Sequence, residues 1–196
     1  MALSKIDVAN FLDGTIPQGN VANASLGAVT ALPAGVGGKV LQVVQSVNSF
    51  QKGMNSTSPT DVESSSGTTW EPSITPSSTS SKILSLVSIK AYQGGNATGA
   101  EFRFQFRMFE KIGGGSYSQI DFYGYKGIYD ILNSGNYDFG TNTVDFTNLR
   151  TPSTTSEVKY KFDMNIYDSA KASVFHNYPG AEISTCTLME IAGWII

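Results

Sequence analysis

From Glu157 to Tyr167 apolar and polar residues alternate one for one. Val158, Tyr160, Phe162, Met164 and Ile166 fall on one side of an extended chain, and Glu157, Lys159, Lys161, Asp163 and Asn165 on the other. A period of two is the pattern of a strand with one face in a core and one in water. A second alternation sets Phe102, Phe104, Phe106 and Met108 against Glu101, Arg103, Gln105 and Arg107, and the two strands are expected to line the same core. Five large side chains at about 2 kcal/mol each give about 10 kcal/mol of gross burial, and ordering the backbone of such a strand costs as much or more. Neither strand holds alone, so the chain must close sheets on each other.

Ile83 to Ile89 is apolar on both sides, with Ile83 and Val87 against Leu84 and Leu86. That is expected of a central strand between two layers or at a subunit contact. Further strands are expected at Val40 to Val44, Thr68 to Ile74, Tyr117 to Tyr125, Thr143 to Thr147 and Thr185 to Ile191. Gly94-Gly95-Asn96, Gly113-Gly114-Gly115, Ser134-Gly135-Asn136 and Tyr178-Pro179-Gly180 supply turns between them. Lys52 to Thr69, rich in Ser, Thr, Asn and Gly, reads as a long surface loop. About eight to ten short strands so punctuated predict an all-β fold, a jelly-roll-like antiparallel β-sandwich over residues 39–196.

Residues 1–38 read differently, as an extended N-terminal arm. Ser4-Lys5-Ile6-Asp7 is a capping-box pattern opening a short helix that Asp13-Gly14 ends. Leu3, Ile6, Phe11 and Leu12, with Val8, give that helix its apolar contacts and are the candidate anchor to a partner. Thr15 to Gly38 is a string of small residues, too small-sided to build a core. At the other end Trp194, Ile195 and Ile196 follow Gly193, and exposing three such side chains forgoes about 6 kcal/mol of burial. They complete the chain's own core or form a candidate subunit contact.

The balance of 13 basic and 16 acidic residues, a net charge of -3, gives no positive field for a phosphate backbone, so nucleic acid is not an expected partner. Ser and Thr make up about a fifth of the chain while only 15% is charged, a polar surface made of hydroxyls. A single Cys186 and a single His176 remove disulfide frameworks and multi-cysteine metal sites; no metal or cofactor is expected. Asp130, Asp138, Asn142 and Asp145 lack the regular alternation of a calcium loop. No apolar run approaches the roughly 18 residues of a membrane span, and Asp7 and Asn10 interrupt any leader, so synthesis in a cytoplasm without membrane insertion is expected.

No catalytic residue is assigned. Gly114-Gly115-Ser116-Tyr117-Ser118 lacks the last glycine of an esterase elbow, and nothing singles out a carboxylate pair among Glu101, Glu110, Asp121, Glu157 and Asp163. Aromatics are more suggestive. Tyr117, Tyr123, Tyr125, Tyr129 and Tyr137, with Phe122 and Phe139, sit in a stretch rich in Gly, Asn and Asp. They are a candidate receptor or glycan surface, with burial in the core as the alternative.

Three stretches, Gly37 to Ser46 (GGKVLQVVQS), Ile74 to Ile89 (ITPSSTSSKILSLVSI) and Ser184 to Trp194 (STCTLMEIAGW), resemble the C-terminal domain of tail-fibre and other appendage proteins of tailed bacteriophages, particularly aquatic ones. The opening MALSKIDVANFLDGTIP is similar to the starts of such virion proteins. The resemblance implies a non-enzymatic virion component, homotrimeric, with the arm toward the particle, other virion proteins as partners and a host surface glycan or protein as possible receptor. Long shafts usually precede this domain and here a short arm does, which keeps open a capsid decoration protein that stabilises the head. A free glycan-binding module or a jelly-roll depolymerase are the competing classes.

Overall fold

The computed structural model describes residues 40–54, 56–94, 101–129, 141–166, 173–176 and 183–193. The expected helix and its anchor residues Leu3, Ile6, Phe11 and Leu12 lie outside them, as do Tyr137 and Trp194 to Ile196. The described residues form thirteen strands: β1 (Val40–Asn48), β2 (Lys52–Met54), β3 (Thr60–Asp61), β4 (Glu63–Ser65), β5 (Thr68–Thr69), β6 (Ser73–Ile74) and β7 (Lys82–Gly94), then β8 (Glu101–Ile112), β9 (Ser118–Tyr129), β10 (Thr141–Arg150), β11 (Val158–Ile166), β12 (Ser173–His176) and β13 (Ser184–Ile191).

Every pairing between them is antiparallel. In the first sheet β7 lies between β13 and β10, and β1 pairs with the far side of β13; β12 and β2 extend the sheet beside the last residues of β7. In the second, β11 carries β3 and β6 on one edge and β8 on the other, with β9 beyond β8. Taking β3 and β6 as one interrupted strand and setting aside β2, β4, β5 and β12, eight strands remain. The first pairs with the eighth, the second with the seventh, the third with the sixth and the fourth with the fifth. A long hairpin rolled on itself gives this order, and that is the jelly roll.

Both expected alternations form the core. Val158, Tyr160, Phe162, Met164 and Ile166 are buried, as are Phe104, Phe106 and Met108. They line one core because β8 and β11 are neighbours, with Phe162 opposite Met108. The first sheet supplies Ile83, Val87, Ile89 and Ala91 from β7, Cys186 and Leu188 from β13, and Val144 and Phe146 from β10. Rings join the layers: Phe146 stacks on Phe162 at 6.3 Å between centroids, and Trp70 lies 5.2 Å from Phe162. β7 is the expected central strand.

Three expectations are corrected. Lys52 to Thr69 is not a surface loop: it contains β2 to β5, and Val62 within it is fully buried. Its backbone runs along the edge of β11, where the Ile166 amide donates to Ser56 O at 3.0 Å and the Val62 amide to Phe162 O at 2.8 Å. One buried valine and the hydrogen-bonding demand of an open edge outweigh the polar composition. For the same reason the water-facing side of β11 is only partly wet. Asp163 and Asn165 are buried beneath this segment, Asp163 opposite Asp61 and bonded to Arg107, Asn165 donating to Thr57 O at 3.0 Å. The expected strand at Thr68 to Ile74 is two short ones, β5 and β6, because Trp70 turns into the core between them.

The Gly113-Gly114-Gly115 turn joins β8 to β9 as expected, and Gly113 takes φ +53°, a left-handed conformation open to glycine.

Candidate functional site

The two outer faces of the sandwich differ in character. On the first sheet the registers β1 to β13 to β7 to β10 align Val43 with Met189, Leu84 and Leu149, one apolar row across four strands. Val43 is 57% and Leu149 55% exposed, with Met189 and Leu84 half-buried between them. The next row is Gln45, Thr187, Leu86 and Thr147, and the one after it Val47, Thr185, Ser88 and Asp145. Leu86 and Val47 are exposed. The apolar area reaches the corner where Val40, also exposed, pairs with Ile191. A solvated sheet face ordinarily is polar throughout; here one whole row is apolar, and Leu86 and Val47 continue it among the polar residues of the next two.

The outer face of the second sheet is a lattice of cations, carboxylates and rings. Arg107 on β8 donates to both oxygens of Asp163, its cross-strand neighbour on β11, at 2.8 and 2.5 Å. Lys161 donates to both oxygens of Asp61 at 2.8 and 3.1 Å. The Lys161 ammonium also lies 5.4 Å from the Phe109 ring centre and 5.0 Å from that of Tyr117, over which Lys111 sits at 4.5 Å. The Tyr117 hydroxyl donates to Glu71 Oε1 at 2.6 Å. Burial, then the Glu71 carboxylate, pushes the Tyr117 phenol well above its ordinary value, while the hydrogen bond from Tyr117, followed by Lys111 and Lys159, holds Glu71 below its own against partial burial. Phe122, 49% exposed, lies opposite Arg107 on β9. The result is a flat face of aromatic and cationic groups held in place by their own ion pairs.

Of the expected receptor residues, Tyr117 belongs to this face. Tyr123 does not. It packs against the core with its ring 6.4 Å from Phe104 and 6.5 Å from Phe146. Irregular pairing between β8 and β9 on either side of Phe106 resets which β9 residues point inward. Tyr125 and Tyr129 are in β9, but their side chains, like Tyr137, are outside the described residues. Phe109 is a member of this face that the sequence reading did not assign; its signal is its place one step beyond Arg107 in the polar phase of β8.

The carboxylates weighed for glycoside chemistry have structural partners. Glu110 Oε2 accepts from Tyr160 at 3.2 Å and Oε1 from Arg150 at 3.3 Å; Asp121 accepts from Asn148 at 2.7 Å; Glu157 lies 3.7 Å from Lys159. Burial first and then Glu110 raise the Tyr160 phenol beyond its ordinary range. Glu101 is in β8, and its side chain is outside the described residues. Among the described residues no group of three His, Cys, Asp or Glu could hold a metal ion.

Glu190, on the inner side of β13, is fully buried. Its Oε1 accepts from the Ser77 amide at 2.7 Å, the Ser77 hydroxyl at 2.6 Å and the Ser81 hydroxyl at 2.7 Å. Burial opposes its charge, but these bonds outweigh it and lower the carboxyl below the usual value. Gly193 seals the same corner: a Cβ there would stand 2.2 Å from Ser80 O.

No family model matches the chain, and no curated protein matches it. Among solved structures it is similar to VP2 of the infectious bursal disease virus subviral particle, with 10% identity and a TM-score of 0.41, over 78% of this chain and 33% of that one. A structure of the Gx strain of the same virus gives 11% identity and a TM-score of 0.39 over 79% and 33%, and its T13 particle 12% and 0.32 over 78% and 36%. The chain thus spans about a third of the chains it resembles. These solved structures are viral.

Proposed function

We propose that this chain is a non-enzymatic structural protein of a bacteriophage virion, a homotrimeric surface appendage displayed as a short tail or head fibre. The observation that carries this reading is the outer face of the first sheet, where Val43, Met189, Leu84 and Leu149 form an apolar row across four strands, exposed at both ends. Such a face suits a protein that works by being packed into an assembly. The sequence resemblance to phage appendage domains supports a virion as that assembly. The jelly roll is compatible with it, being a fold of viral capsid and lectin domains, although fold alone does not assign function. Structural partners for Glu110, Asp121 and Asp163 favour scaffold over hydrolase.

In this reading the face carrying Tyr117, Phe109 and Phe122 meets the host surface. Leu3, Ile6, Phe11 and Leu12 fasten the arm of residues 1–38 to the particle. Immunogold electron microscopy on virions tests the assignment: label at the tail or on projections supports the appendage, label spread over the head replaces it with a capsid decoration protein, and virions without label overturn both. A polysaccharide-degradation assay separates the depolymerase, since cleavage would end the non-enzymatic reading.

A further inference from the structure

We infer that the outer face of the β1–β13–β7–β10 sheet is the contact between copies of this chain, with the row Val43, Met189, Leu84 and Leu149 at its centre. The inference rests on the assembly reading above and names the partner of its apolar face.

Shape and size point to a second sheet. Four strands at about 4.8 Å make a face about 19 Å wide, and nine residues of β1 at about 3.3 Å make it about 30 Å long. That is a flat footprint of about 570 Å², of the order of the roughly 800 Å² that each partner contributes to a stable interface. A face this wide is too broad for a single extended peptide and is matched by another sheet of the same width packed across it.

Charge points to a copy rather than to a charged partner. The two central rows, Val43 to Leu149 and Gln45 to Thr147, contain no ionisable side chain, so a second copy seated on them buries no charge there, and Asp145 stands in the next row towards the margin. Lys82 and Lys90 stand at the two ends of β7, and the Lys90 ammonium is already bonded to Thr143 at 2.7 Å. Edge strand β1, VLQVVQSVN, also has no charge in nine residues, whereas an edge left in water is ordinarily guarded by one. Closed homo-oligomers are the usual outcome for contacts between copies, and in the trimer proposed above the contact is heterologous, one part of this face meeting another part on the next copy.

The test is the mass of the full chain by size-exclusion chromatography with light scattering, for wild type, Val43→Glu with Leu149→Glu, and Phe122→Glu on the opposite sheet. Wild type and Phe122→Glu are expected at a multiple of the 21.0 kDa single-chain mass, and the double variant at 21.0 kDa with an unchanged circular dichroism spectrum. If the double variant does not fold, Val43→Thr with Leu149→Gln, which keeps the side-chain sizes, is expected to weaken association at least tenfold. A folded double variant at wild-type mass overturns the inference, as does a wild type that runs as one chain at all concentrations. Virion labelling reads the virion role separately: a chain present on the particle but monomeric in solution overturns both the contact and the trimer and leaves the structural role in the virion standing.

Discussion

Arg150 on β10 reaches across the sandwich to Glu110 on β8, its Nε donating to Oε1 at 3.3 Å, and so ties one sheet to the other at their rim. Glu110 is buried while the Arg150 side chain is 43% exposed, so water screens one end of the pair. Arg150→Ala is expected to cost about 1–2 kcal/mol, and Glu110→Ala somewhat more because Tyr160 then loses its acceptor. Urea denaturation followed by tryptophan fluorescence measures both, and a Glu110→Ala variant as stable as wild type would contradict the clasp.

Glu190 makes stability depend on acid. Its folded pKa is lowered, so its contribution is fully present above the unfolded value near 4.5 and is lost as pH falls through the folded value beneath that. Glu190→Ala, which leaves Ser77 and Ser81 with three unaccepted donors, should lose about 2–4 kcal/mol at neutral pH. Its deficit relative to wild type should shrink below pH 4.5; a constant deficit would show that the carboxylate charge is not what matters.

Gly193→Ala should destabilise by about 2–4 kcal/mol, because the new Cβ would meet the Ser80 carbonyl at 2.2 Å and force the Ser78 to Ser81 turn away from β13. Gly114→Ala, which meets nothing within 4 Å, is the control and should melt within a degree or two of wild type. Equal melting temperatures for the two variants would remove the close approach.

Cys186 is buried, and desolvation pushes its thiol up to about 12. In the folded protein it should react with a thiol reagent at pH 8 at least a hundredfold more slowly than in guanidinium. Equal rates would mean that β13 opens readily from the sheet.

Strands with one buried face were legible because alternation is a local signal: Val158 to Ile166 and Phe104 to Met108 declare their inner faces within a few residues. The two-sided apolar character of Ile83 to Ile89 likewise marked β7 as central. The row Val43, Met189, Leu84 and Leu149 was not legible as a row, since its members come from four separated stretches and meet only once the register of three pairings is set. Leu84 and Leu86 alone hinted at it. Polar composition misled at Lys52 to Thr69, where Val62 and the open edge of β11 decide the structure, and irregular pairing hid the inward turn of Tyr123. Tyr117 stood out as one of a run of aromatics, but its bond to Glu71 and the cations over its ring depend on contacts no spacing reveals.

Cryo-electron microscopy of intact virions tests the central claim most directly. The assembly reading predicts repeated jelly-roll densities on the particle surface, each with Val43 and Leu149 packed against a neighbouring copy. Particles without that density, or densities in which this face looks into solvent, would contradict it.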